Sequence, residues 1–470
     1  MTSKFFLTTP IYYVNDVPHI GHAYTTIAAD VVARYWRQKN GKENVFFLTG
    51  TDEHGQKVAQ AAKERGLSPK EFVDSVAPRF EEAWKLLNID YDYFIRTTDP
   101  KHESVVTDLI QKIYDAGYVY PGTYKGLYCV GCEKFLTESE LVDGKCPLHP
   151  NKEPIHQEEK NYFLKLKELS HKVLEKIENG EYQILPEEKK KEVVSRIKQG
   201  VEDISISRAG VSWGIPIPWD KSQTIYVWVD ALINYYSATR FLKGKEDFWP
   251  ANLHLVGKDI LWFHTVIWQA ILIAAGIPLP KTIFAHGFFT IDGAKMSKSL
   301  GNVISPQKLV EKYGVDGARY LVVSAYPFGS DGDISLEKFK EEYNAHLANG
   351  IGNLVSRIAK LCENSGFEFP QEKVLKFDDL VEENIKNYRF DEALKYLFDR
   401  FISGLDSSIN KEEPWRLEGN PLKKFLTGAV SIIRNLSYNL KPFLPETSEK
   451  IEKQFLGPKI KSGPALFPRL

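Results

Sequence analysis

His19-Ile20-Gly21-His22 follows the apolar run Phe5-Phe6-Leu7 and opens a stretch in which Ile20, Ala23, Ile27, Ala28, Val31, Val32 and Tyr35 recur at three-and-four spacing. That spacing predicts a helix, which Asn40-Gly41 can end. The implied order is strand, loop, helix. The start of such a helix offers free backbone N–H groups and positive dipole charge, which suit phosphates. Two imidazoles at that point can donate to phosphate oxygens. Gly21 between them leaves room for a flat base to lie on the backbone. Next come a second buried strand, Val45-Phe46-Phe47-Leu48-Thr49, and a helix beginning within Glu53 to Arg65. Alternation of this kind over residues 1–115 predicts an α/β fold, the first half of a Rossmann-like parallel sheet with crossover helices.

Residues 116–215 break the rhythm. They hold a cysteine cluster, a Lys/Glu-rich helical stretch from Leu164 to Glu178, and the basic run Lys189-Lys190-Lys191. This segment reads as an insertion between two halves of the sheet domain. Strands are expected again over 216–290, at Thr224-Ile225-Tyr226-Val227-Trp228-Val229, Leu253-His254-Leu255-Val256 and Thr282-Ile283-Phe284-Ala285. Residues 291–345 carry a basic loop, and 346–470 read as a helix bundle, a separate α-helical domain.

Within the insertion, Cys129 and Cys132 form one pair and Cys146 and His149 a second. Two chelating pairs of soft or borderline ligands match tetrahedral Zn²⁺. Gly131 and Gly144 ease the turns that aim each pair at one ion. Four protein ligands close the shell and leave no site for water, so the expected metal is structural. Cys362 stands alone in a helical region and reads as buried packing.

Far downstream of the histidine motif lies Lys295-Met296-Ser297-Lys298-Ser299. The pair of motifs, intact and in this order, resembles the class I aminoacyl-tRNA synthetases. Such enzymes make an aminoacyl-adenylate from ATP and an amino acid, then pass the acyl group to tRNA. The resemblance implies catalytic roles for His19, His22, Lys295 and Lys298, nucleotide contacts for Gly21, Gly257, Asp259 and Ser297, and Mg²⁺ accompanying ATP.

Thr9 to Asn15, Thr49 to Gly55, Tyr226 to Ala231 and Gly257-Lys258-Asp259-Ile260 are similar to the methionyl family of that class, as is the cysteine cluster. Carried over by motif, Tyr13, Trp228, Ala231, Tyr235, Ile260 and His264 would enclose a thioether side chain. Ile11 and Asp52 would face the amino-acid backbone, with Asp52 taking the ammonium. Asn353 and Arg357, four apart on one helix face, and Trp415 after Pro414 would read the methionine anticodon. The implied partners are ATP, L-methionine and tRNA(Met), the initiator included.

Composition fits this. The chain has 470 residues, 43% hydrophobic and 26% charged, as soluble globular proteins do. A net charge of −1 gives no global attraction to nucleic acid, so a tRNA would be held by local patches. The apolar stretch Thr265 to Leu279 is too short to span a bilayer, no signal peptide is apparent, and a cytoplasmic monomer is expected. Three other readings compete: a synthetase for leucine, isoleucine or valine, a nucleotidyltransferase that ignores tRNA, and a non-catalytic tRNA-binding protein. The first would carry a large editing insertion in place of this short cysteine-bearing one. The long helical C-terminus argues against the second and the intact motifs against the third.

Overall fold

The computed structural model describes the chain apart from residues 1–3, 16, 130, 132–133, 137–140, 148–150, 152, 292, 296–302 and 372–374. In chain order, the elements that position the site are β1 (Phe5–Tyr13), α1 (Ile20–Asn40), β2 (Val45–Asp52), β3 (Tyr93–Arg96), α2 (Pro100–Asp115), β4 (Gln183–Leu185), α3 (Val227–Phe241), β5 (Leu253–Gly257), β6 (Thr282–His286), α4 (Pro306–Ser324) and α5 (Asn353–Ser365). The chain forms two compact units. One comprises 1–17, 43–82 and 91–285, and the other 18–42, 83–90 and 286–470. The first sheet-and-helix segment read from the sequence, 1–115, is thus shared between them.

The first unit is built on a six-stranded sheet of order β3-β2-β1-β5-β6-β4. Pairings of β1 with β2 and β5, β2 with β3, and β6 with β4 are all parallel. Every residue of β2 is buried, as expected for a strand covered on both faces. Gly50 within it is dictated by close approach, since a Cβ there would lie 2.0 Å from the Ile95 carbonyl oxygen on β3. Inserted between β3 and β4 is a four-stranded antiparallel sheet in which Val119–Cys129 pairs with both Lys134–Leu136 and Ile155–Leu164.

One expected strand is different. Thr224 and Ile225 end a short strand, Asp220–Ile225, which pairs antiparallel with Ser207–Arg208 and Pro216–Ile217. Val227, Trp228 and Val229 instead begin α3. Helix α3 is buried on nearly all sides. Its apolar run therefore has no polar face to reveal the period, and periodicity cannot separate a buried helix from a buried strand.

In the second unit α1 packs with α4 around a buried ion cluster. Arg319 on α4 meets Asp30 on α1 at 2.7 Å with neither side chain exposed, and Arg34 joins the same carboxylate. Arg319 also donates to the carbonyls of Leu87, Pro442 and Phe443. A buried charge is tolerated when it is paired and its remaining donors are satisfied, as here. Phe289–Ile291, Ala294–Lys295 and Gly332–Ile334 form a small sheet, and the other described regular elements of this unit are helices. Cys362 on α5 is buried, which pushes its thiol up to about 12 and suits packing. Among the described residues no helix is long and apolar enough to cross a membrane.

Candidate active site

In the first unit the C-terminal ends of β1, β2 and β5 converge. The register sets Tyr13 opposite Asp52 on adjacent strands, and Gly257 ends β5. Strand order reverses at β1, which has β2 on one side and β5 on the other. Such switch points are where open parallel sheets bind ligands. Asp52 is buried while Tyr13 and Ile11 are half-buried.

Beyond β5, a single turn containing Asp259 and Ile260 leads into a π-helical turn, Phe263–Ile267. Turns of this kind re-aim side chains at functional sites. Here the wide turn seats His264 beside Tyr235 of α3. The His264 Nδ1–H donates to the Ile260 carbonyl at 2.9 Å, so Nε2 accepts from the Tyr235 hydroxyl at 2.8 Å. Burial lowers the His264 pKa to about 4, and burial keeps the Tyr235 phenol protonated. The pair is neutral at neutral pH. Trp228 stacks on Phe263 with centroids 4.1 Å apart, and Ala231 is buried one helical turn before Tyr235. Aromatic faces and a neutral polar pair form a wall suited to an apolar, polarizable side chain.

The loop after β2 is fastened by a polar network that no short motif marks. Glu53 receives Arg96 through two hydrogen bonds, 2.6 and 2.9 Å, and accepts from the hydroxyls of Thr51 and Thr98. Trp213 donates to the Glu53 carbonyl, and Gly55 donates to the Trp213 carbonyl. His54 meets Asp230 of α3 at 2.7 Å. Burial opposes protonation of His54, but Asp230, Glu103 and Asp52 outweigh it and hold its pKa up at about 10. Asp230 stands between two apolar residues in the stretch Tyr226 to Ala231, and a lone carboxylate in such a run is the sequence signal for it.

In the second unit His19 is the N-cap of α1 and its Nδ1 accepts the Gly21 N–H at 3.0 Å. The His22 Nδ1 accepts the His19 N–H at 3.2 Å. With both Nδ1 atoms accepting, each neutral ring carries its proton on Nε2. The capping box thereby fixes two N–H donors in stacked rings whose centroids are 3.9 Å apart. Burial, then the neighbouring His19, keeps the His22 pKa well below its ordinary value, so it donates as a neutral imidazole. The Ile20 N–H donates to the Ile304 carbonyl at 2.9 Å. That bond ties the histidine motif to the chain just beyond the lysine loop. Of Lys295 only the backbone is described, and Ser297 and Lys298 lie outside the described residues.

Also in this unit, Trp415 is 53% exposed in a short turn, Pro414–Arg416. The Arg357 guanidinium lies 5.6 Å from its ring centroid and is held by Asp406 at 2.9 Å. Asn353, one turn earlier on α5, is exposed. Of the four cysteine-cluster residues, Cys129 and Cys146 are buried together with Leu136, while Cys132 and His149 lie outside the described residues. Among the described residues no group of three or more potential ligands is placed to hold a metal.

Residues 5–152 and 149–359 match the family model for class I tRNA synthetases (M). The methionine–tRNA ligase of Caldanaerobacter subterraneus is 40% identical over 100% of this chain and 79% of its own length. The chain belongs to the methionyl-tRNA synthetases. The Thermotoga maritima methionine–tRNA ligase is 42% identical over 95% of this synthetase and 74% of its own length. Mycobacterium tuberculosis methionyl-tRNA synthetase in complex with methionyl-adenylate matches it with a TM-score of 0.92 at 34% identity, covering 99% of this chain and 100% of that one.

Proposed function

We propose how this chain, a methionine–tRNA ligase, divides its chemistry among its side chains. The enzyme activates methionine with ATP, accompanied by Mg²⁺, to methionyl-adenylate and pyrophosphate, and transfers the methionyl group to the terminal adenosine of tRNA. A methionine carboxylate oxygen attacks the α-phosphorus as the bond to the departing pyrophosphate breaks. His19 and His22 donate Nε2–H bonds to oxygens that gain charge in that step. Lys295 and Lys298 balance the pyrophosphate, with Ser297 and Gly21 contacting the nucleotide. Gly257 and Asp259 hold the ribose. No protein nucleophile is required, because positioning and electrostatic stabilisation supply the rate. The observation that carries this reading is the double cap at His19 and His22 together with the Ile20–Ile304 bond.

Asp52 pairs with the α-ammonium, beside Ile11. Tyr13, Trp228, Ala231, Tyr235, Ile260 and His264 receive the thioether chain. Losing a hydrogen bond to a charged group costs about 1.5–3 kcal/mol. Asp52→Ala should therefore raise the methionine KM at least roughly tenfold in ATP–pyrophosphate exchange. An unchanged KM would free Asp52 from this role. His264→Ala and Trp228→Ala should erode discrimination between methionine and other apolar amino acids in the same assay.

Cys129, Cys132, Cys146 and His149 hold one structural Zn²⁺. The paired burial of Cys129 and Cys146 in one small cluster supports this. One zinc per chain is expected by metal analysis, and chelation should unfold the insertion locally, read by proteolysis within 116–215. Zinc-free protein from metal-replete cells would refute the assignment. Residues 216–290 form the second half of the catalytic domain, 291–345 the tRNA stem contact and 346–470 the anticodon-binding domain. The enzyme works as a cytoplasmic monomer and charges initiator tRNA as well.

A further inference from the structure

Helix α3 is two-sided. Trp228, Ala231 and Tyr235 lie at helical spacing on one face, and Asp230 and Ser237, seven apart, share another. The second face is held by buried charge. Asp230 is 1% exposed and accepts from two imidazoles, His54 at 2.7 Å and His102 at 2.8 Å. His102, on α2, is fully buried, and its other ring nitrogen bonds to the Ser237 hydroxyl at 2.7 Å. Glu103 lies 3.6 Å from His54 on the far side. One carboxylate thus joins three elements of the first unit: the loop after β2, helix α2 and helix α3. Neither the adenylate chemistry nor the metal uses it.

We propose that Asp230, with His54 and His102, is a positioning residue for methionine, which locks the helix bearing Trp228, Ala231 and Tyr235 to the loop that follows Asp52 at the end of β2. The proposal rests on the reading of Asp52 as the ammonium partner. Its electrostatic logic is specific. Asp230 balances the protonated His54, and this leaves the charge of Asp52 for the substrate. With Asp230 neutral, the His54 imidazolium would turn toward Asp52 and compete with the ammonium, or lose its proton and its hold on the loop. Either outcome weakens the amino acid's site without touching the phosphate donors.

The test is ATP–pyrophosphate exchange on the full chain with methionine varied, for the parent, Asp52→Asn, Asp230→Asn and the double variant. Asp230→Asn should raise the methionine KM on the order of tenfold, and the double variant should be no worse than Asp52→Asn alone, because coupled neighbours are not additive. The ATP KM and kcat should stay within about twofold, a split that general destabilisation does not produce. Additive effects, or an unchanged methionine KM in Asp230→Asn, overturn the proposal. An unchanged KM in Asp52→Asn removes the ammonium assignment and the proposal with it, a result distinct from failure of Asp230→Asn alone. Should Asp230→Asn not fold, His54→Gln is read by the same criteria.

Discussion

His22→Ala should slow methionyl-adenylate formation by roughly 10²–10³-fold, the usual loss when one preorganised donor to a developing oxyanion is removed. Methionine binding should remain as in the parent. The separation follows from when the donor matters. Charge builds on the phosphate oxygens only as the pentacoordinate state forms, so the interaction is stronger in the transition state than before it. The capping box makes His22 a fixed donor, since its Nδ1 is engaged by the His19 N–H. Removing the ring also removes half of that box, at about 1 kcal/mol of helix stability. A melting curve separates this cost from the rate. Lys298→Ala should act in the same direction through the pyrophosphate. Stopped-flow adenylate formation with a separate methionine titration makes the comparison, and rates near the parent's in both variants would sink the mechanism.

Trp415→Ala should reduce aminoacylation about ten- to a hundredfold while leaving pyrophosphate exchange unchanged, because stacking is worth roughly 1–3 kcal/mol per base. The ring is more than half exposed, so little packing is lost with it. An exposed ring can stack on a splayed-out loop base, the usual mode of sequence-specific RNA recognition. Arg357 sits beside it, oriented by Asp406, and adds charge and hydrogen-bond donors. Arg357→Ala should weaken tRNA affinity as well. The decisive comparison uses tRNA with a methionine anticodon against one with that anticodon altered. If Trp415→Ala still distinguishes them as the parent does, the anticodon is read elsewhere.

Much of the architecture was legible. The three-and-four pattern of α1 marks a helix, and the apolar run Val45 to Thr49 is too short for one. The Tyr226-Val227-Trp228-Val229 run does not declare itself in this way, since it opens a longer helix whose burial on nearly all sides erases the polar face that a period needs. The site divided along the same line. Short motifs mark His19, His22, Asp52 and the cysteine pairs as candidates. Nothing local announced His102, whose partners Asp230 and Ser237 lie far away in the chain. A hydrogen-bond network is a property of three elements meeting, and no one of them contains it.

The chemical groups of the candidate site, the order of the motifs and the alternation that builds the sheet can all be read from the residues alone. The protonation states of those groups cannot, because folding sets them. His22, His54 and His264 are the same residue type with the same intrinsic basicity. Burial without a charged partner lowers His264 to about 4, and burial beside His19 depresses His22. His54 is buried too, yet the carboxylates around it raise it to about 10. Ionisation depends on what solvates the charge, and solvation is set by neighbours that only folding brings together.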